Sequence, residues 1–131
     1  VMLAQNFLFD GLVYPLAMSR LEQVLGPQAA SGYALCTEFA TNWHEENVRW
    51  MDANLRTAAA ESPANAALLK QWIERWLPAW IDAFWPWATA AFGDQAGAAV
   101  GEAVDELVAR AERAGIAAVV SSPSAPRGGK P

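Results

Sequence analysis

With 131 residues, 53% of them apolar and 18% charged, the chain has material for one modest core or for part of a larger one. A net charge of −5 excludes the basic footprint of a nucleic-acid binder. The single cysteine, Cys36, rules out an internal disulfide, and no run of about 18 apolar residues escapes a charge or a proline, so no membrane span is expected.

The N-terminal residues Val1 to Phe7 show no basic region followed by a cleavable apolar stretch, and the expected location is the cytoplasm, a reducing compartment. A start at Val1 inside a helical pattern reads as a fragment of something longer. Residues 1 to about 25 carry Phe7, Leu8, Leu12, Leu16 and Leu21 at helical spacings, with a kink expected near Gly11 because Pro15 lacks a backbone donor. Gly26-Pro27 ends this segment, with Gly26 free to turn left-handed.

A second helix is expected over about residues 31–60. Cys36, Phe39, Trp43, Asn47, Trp50 and Asn54 recur every three or four residues as one stripe, with Cys36 as a small core residue. The opposite face carries Glu45–Arg49 and Asp52–Arg56, each acid four residues before its base. Ser62-Pro63 then reads as a cap and first-turn proline, with Asn65 as the other candidate cap.

The third helix, to about residue 92, has two ladders at i, i+4: Leu69, Ile73, Leu77, Ile81 and Trp85, and beside them Trp72, Trp76, Trp80 and Phe84. Together they form a face too broad for one antiparallel neighbour, and Pro78 and Pro86 are expected to bend the helix. Asp94 is placed to cap a fourth helix with the stripe Val100, Val104, Leu107, Val108 and Ala111, a Glu106–Arg110 pair, and Gly115 as terminator. These segments predict an all-α protein of about four helices, several kinked at proline. The helical part covers residues 1–115, and residues 116–131 form a disordered tail.

No catalytic or metal site emerges. His44 is the lone histidine, and Thr41 stands where the Glu-x-x-His motif of a di-iron bundle needs an acid, so His44 reads as a solvated or interface residue. Glu38, Glu45 and Asp52 line one helix face beside arginines and read as a solvated surface. Gly93, Gly97 and Gly101 lack the Lys and Ser/Thr of a phosphate loop; their spacing suits close helix approach. Seven tryptophans exceed what one small core needs, and Trp favours interfaces. Trp72, Trp76 and Trp80 are therefore the candidate partner contacts. Asn47 and Asn54 join them, because an Asn on an apolar stripe must find a partner.

Three segments resemble a known family: Asn6-Phe7-Leu8-Phe9-Asp10-Gly11-Leu12-Val13, then Glu45-Glu46-Asn47-Val48-Arg49-Trp50, then Asn65-Ala66-Ala67-Leu68-Leu69-Lys70-Gln71-Trp72-Ile73-Glu74-Arg75-Trp76-Leu77-Pro78. In this order they are similar to the C-terminal third of the β subunit of bacterial multicomponent monooxygenase hydroxylases. These are soluble di-iron enzymes that oxidise methane, propane, alkenes, toluene and phenol. The resemblance covers about residues 6–92. It implies a ferritin-like bundle without iron ligands or any other cofactor of its own, paired with an α subunit that holds the di-iron centre. It also implies a dimer of heterodimers or heterotrimers, a separate NAD(P)H reductase and a small effector protein; the charge and the lack of a long apolar run separately argue against nucleic acid and membrane as partners. The first two-thirds of a family β subunit have no counterpart here, and the tail after Gly115 matches no part of it. The alternative is a stand-alone ligand-binding domain of a bacterial regulator, with Trp72, Trp76 and Trp80 lining an apolar pocket.

Overall fold

The computed structural model describes residues 3–117, and all regular secondary structure within them is helical. Helix α1 (residues 3–24) changes register along its length: π-helical Leu3–Phe9, α-helical Asp10–Val13, π-helical Tyr14–Arg20 and α-helical Leu21–Val24. Pro15 has no N–H to offer Gly11, and the widened turns that follow let Leu21 donate to the Leu16 carbonyl five residues back. Widening thus absorbs the proline, and Phe7, Leu8, Leu12 and Leu16 all remain buried.

Helix α2 (Pro27–Glu61) begins after Gly26, whose φ of −65° and ψ of 157° are extended. The expected left-handed turn at Gly26 is therefore absent; the residue leads into a first-turn proline. Helix α3 (Pro63–Phe92) is capped by Ser62, whose Oγ accepts the Asn65 N–H at 3.1 Å, so Asn65 is the recipient and not the cap. It runs uninterrupted through Pro78 and Pro86. Both prolines are exposed, on the side where no neighbouring helix has to pack.

Gly93, at φ 55°, closes α3, and a 3-10 turn, Gly93–Gln95, leads into α4 (Ala96–Arg113). Asp94 lies in that turn, and no side chain caps α4. The far end closes as expected at Gly115, with φ 84°: Ile116 donates to Ala111 at 2.9 Å and Gly115 to Glu112 at 2.9 Å, the paired bonds of a Schellman ending. Ile116 is itself buried, so the packed part of the chain extends past the expected boundary at 115. The rest of the expected tail, residues 118–131, lies outside the described residues.

The core joins Phe7, Leu8, Leu12 and Leu16 of α1, Met51 and Leu55 of α2, Ile73, Leu77 and Ile81 of α3, and Val100, Val104 and Leu107 of α4. Gly11 permits the tightest crossing: a Cβ there would lie 2.4 Å from Leu107 Cδ2. A methyl group added at Gly97 or Gly101 would meet nothing within 4 Å among the described residues, so the expected close approach does not occur at either.

Candidate partner interface

The two ladders of α3 part company. Ile73, Leu77 and Ile81 are buried, whereas Trp72 and Trp76 are 42% and 37% exposed and Trp80 is half-buried. An i, i+4 ladder advances about 40° around the helix per step, because four residues exceed one turn of 3.6. The tryptophan row therefore spirals from solvent into the core as it descends. Trp80 ends against Phe9 of α1, with ring centroids 5.0 Å apart, and Phe84 reaches the same ring at 5.8 Å. Trp72 and Trp76 lie 6.3 Å apart, with the Arg75 guanidinium 5.2 Å from the Trp76 ring centroid. A Lys70–Glu74 ion pair borders them. The outcome is an exposed aromatic pair with a charged rim, the anatomy of a contact surface.

Both candidate asparagines are satisfied within the chain. Asn47 donates to Asp10 Oδ2 at 3.3 Å, tying α2 to α1, and Asn54 donates to the Trp50 carbonyl of its own helix at 2.7 Å. The α2 stripe to which their spacing assigns them does not face the core. Cys36, Phe39, Trp43 and Trp50 are exposed, and the buried positions are Met51 and Leu55, about a quarter-turn or more away.

Beneath these surfaces lies a polar cluster that periodicity alone does not reveal. Arg110, only 4% exposed, donates from Nε and Nη2 to Asp52 Oδ1 at 3.0 and 2.7 Å, and its guanidinium lies 4.9 Å from the Phe7 ring centroid. The expected Asp52–Arg56 and Glu106–Arg110 pairs therefore do not form. Asp52 crosses to α4, and Glu106 pairs with Arg113 at 2.8 Å. Of the expected solvated face, Glu38 and Glu45 are exposed, and Glu45 reaches Arg49 at 3.7 Å as expected. The one sequence signal for this cluster is Arg110 lying between Leu107 and Ala111 on the apolar stripe of α4.

His44 is half-buried. Its ring stacks on Tyr14 at 4.2 Å with 3° between planes, and its Nδ1 is buried without a hydrogen-bond partner among the described residues. Burial, with the Arg110 charge as a second cause, lowers its pKa to about 4. Burial raises the Asp10 carboxyl above its ordinary value, with the Asn47 bond opposing, and burial followed by the Asp10 charge raises Tyr14. Among the described residues no three of His, Cys, Asp and Glu gather as a metal site, and no helix is long and apolar enough to cross a membrane. Clefts of about 360, 200 and 110 Å³ lie beside Leu35, beside Arg20 and beside His44; Trp72, Trp76 and Trp80 line none of these three.

Comparison with known proteins finds relatives over most of the chain. It is 40% identical over 91 residues, or 70% of its length, to the phenol 2-monooxygenase oxygenase component DmpL of a Pseudomonas species. It is 36% identical over 114 residues, or 87% of its length, to the phenol 2-monooxygenase oxygenase component MhpL of Acinetobacter pittii. The matches cover 28% and 33% of those proteins, so the chain spans about a third of the length of the relatives it matches. No family model matches, and no solved structure matches. The chain is a homologue of phenol 2-monooxygenase oxygenase components, in agreement with the hydroxylase small subunits that its sequence resembles.

Proposed function

We propose that this chain is part of a non-catalytic, β-type subunit of a soluble di-iron monooxygenase hydroxylase. In this reading it supports an iron-bearing α subunit by packing the outer face of α3 against it. The homology to two phenol 2-monooxygenase oxygenase components carries the reading. It also makes a phenol-type aromatic the proposed substrate class, to be bound and oxidised in the α subunit. The remaining assignments belong to the same proposal: a ferritin-like arrangement, a cytoplasmic hydroxylase of paired heterodimers or heterotrimers, an NAD(P)H reductase as electron source, and a small effector protein.

Trp72 and Trp76 are the proposed anchors for the α subunit, because they lie one turn apart and exposed while the neighbouring ladder already supplies the intrachain core. Trp80 is a support beneath them, seated on Phe9. Asn47 and Asn54 act indirectly, by holding α1 on α2 and by closing a turn of α2. The test is Trp76→Ala in the full chain, followed by pull-down of the α subunit and turnover of the reconstituted enzyme. Truncating an interfacial Trp commonly costs about 2 kcal/mol or more, roughly a thirtyfold loss of affinity. Weakened association with unchanged helical content is the expected result. Assembly at unchanged affinity would show that the α subunit docks elsewhere.

A further inference from the structure

The second wide turn of α1 is held from outside the helix. In an α-helix the Leu21 N–H would return to the Ala17 carbonyl, but here it reaches one residue further back, to Leu16. The Ala17 carbonyl accepts the Tyr33 hydroxyl of α2 instead. A phenol has one proton to give, and Tyr33 has a second acceptor within reach, because Met18 Sδ lies 3.9 Å from its Oη. A thioether is a weak acceptor, so the carbonyl keeps the proton. Met18 is half-buried and lines the cleft of about 110 Å³ together with Tyr14, Thr41 and His44. Met51, the other methionine among the described residues, is 2% exposed in the core.

We propose that Met18 is a redox-sensitive latch on this turn. A hydroperoxide transfers one oxygen atom to Sδ: the S–O bond forms, the O–O bond breaks, and the sulfur gives up two electrons. The peroxide's proton passes to the leaving oxygen, which departs as water or an alcohol. The sulfoxide oxygen is a stronger acceptor than the sulfur and sits on a side chain flexible enough to turn it toward Tyr33. With the sulfur 3.9 Å from the hydroxyl, an oxygen bonded to that sulfur comes within hydrogen-bond distance. Tyr33 then leaves Ala17, whose carbonyl takes the Leu21 N–H, and the turn tightens to the α register. The N-terminal part of α1 cannot follow, because Asn47 holds Asp10, His44 stacks on Tyr14 and Gly11 abuts Leu107. Residues after Ala17 therefore turn by about 100° around the helix axis, the rotation of one residue. That carries Arg20 away from Glu102, its partner at 3.3 Å. All of these contacts lie within this chain, and none involves the α3 face assigned to the α subunit.

The test treats the full chain with dilute hydrogen peroxide and follows two readouts. Peptide mapping by mass spectrometry should find one oxygen added at Met18 roughly tenfold faster than at Met51, since susceptibility follows exposure. NMR couplings across hydrogen bonds should join Leu21 to Leu16 before treatment and to Ala17 after it. Methionine sulfoxide reductases, one for each epimer, should return the bond to Leu16. Met18→Leu nearly conserves the side-chain volume without the sulfur, so peroxide should leave its Leu21–Leu16 bond in place even though Met2 and Met51 are retained. Tyr33→Phe should show the Leu21–Ala17 bond before any oxidation, and peroxide should then change nothing at Leu21. Oxidation of Met18 no faster than that of Met51, a Leu21 bond that peroxide does not move, or a Met18→Leu chain that responds as the parent does would overturn the proposal.

Discussion

Tyr14 and His44 stack face to face, and no spacing in the sequence joins positions 14 and 44. The pair has a consequence for acid stability. Above pH 6.5 His44 is neutral whether the chain is folded or not. Between 6.5 and about 4 the unfolded chain binds a proton that the folded chain refuses, so stability falls as pH falls through that window. His44→Phe keeps a ring on Tyr14 and removes the titration. Urea unfolding of this variant should lose about 1–2 kcal/mol less between pH 7 and pH 4.5 than the parent, a figure discounted for residual solvent contact. Equal losses would mean that His44 does not sense the interior. Asp10 works with the opposite sign: its raised pKa makes the ionised form a cost at neutral pH, relieved as pH falls toward the folded value. Arg110 is the other residue that periodicity could not reveal, because Asp52, its partner, is 58 residues away. Arg110→Ala should cost about 2–4 kcal/mol in chemical denaturation, since it removes the Phe7 contact and strands a partly buried Asp52. Asp52→Asn in the same chain should recover part of that loss.

The ends of the helices are legible in part, because caps are local, although Gly26 is extended and Asp94 lies in a 3-10 turn without capping α4. Ser62 before Pro63 and the Gly115 terminator act through bonds spanning five residues or fewer. Which face each helix buries is legible only where the apolar stripe is narrow. Val100, Val104, Leu107 and Ala111 face the core as the sequence indicates. On α2 and α3 apolar residues wrap more than half the circumference, and neighbours that the sequence does not specify decide which arc is covered. The prolines do not end α3 for a related reason: the cost of a lost backbone bond depends on what packs beside it, and Pro78 and Pro86 are exposed. Gly11 shows a contact that only tertiary structure supplies. Gly11→Ala would push a methyl into Leu107, which is 1% exposed and has little room to move. Thermal or chemical unfolding should show a loss of about 1–3 kcal/mol, the usual cost of overpacking. Leu107→Ala in the same chain should then cost less than it does alone.

At the scale of the whole molecule the four helices enclose one core and leave two aromatic surfaces bare, the α3 pair Trp72–Trp76 and the α2 strip Leu35–Phe39–Trp43–Trp50. The sequence shows that apolar surface is in excess, because seven tryptophans and two parallel ladders exceed the needs of one small bundle. It does not show how that excess divides, since the α2 stripe reads as core until the packing of α1 and α3 is known. A chain matching about a third of each relative, with two uncovered faces, is suited to function inside a larger assembly. Native mass spectrometry with iron analysis, applied to the assembly that co-purifies with the tagged full chain, tests this most directly. The expected result is a larger chain bound to this one, with iron travelling with the larger chain when the two are separated. Recovery without a larger partner, or about two irons retained on this chain after separation, as a di-iron site would require, would contradict it.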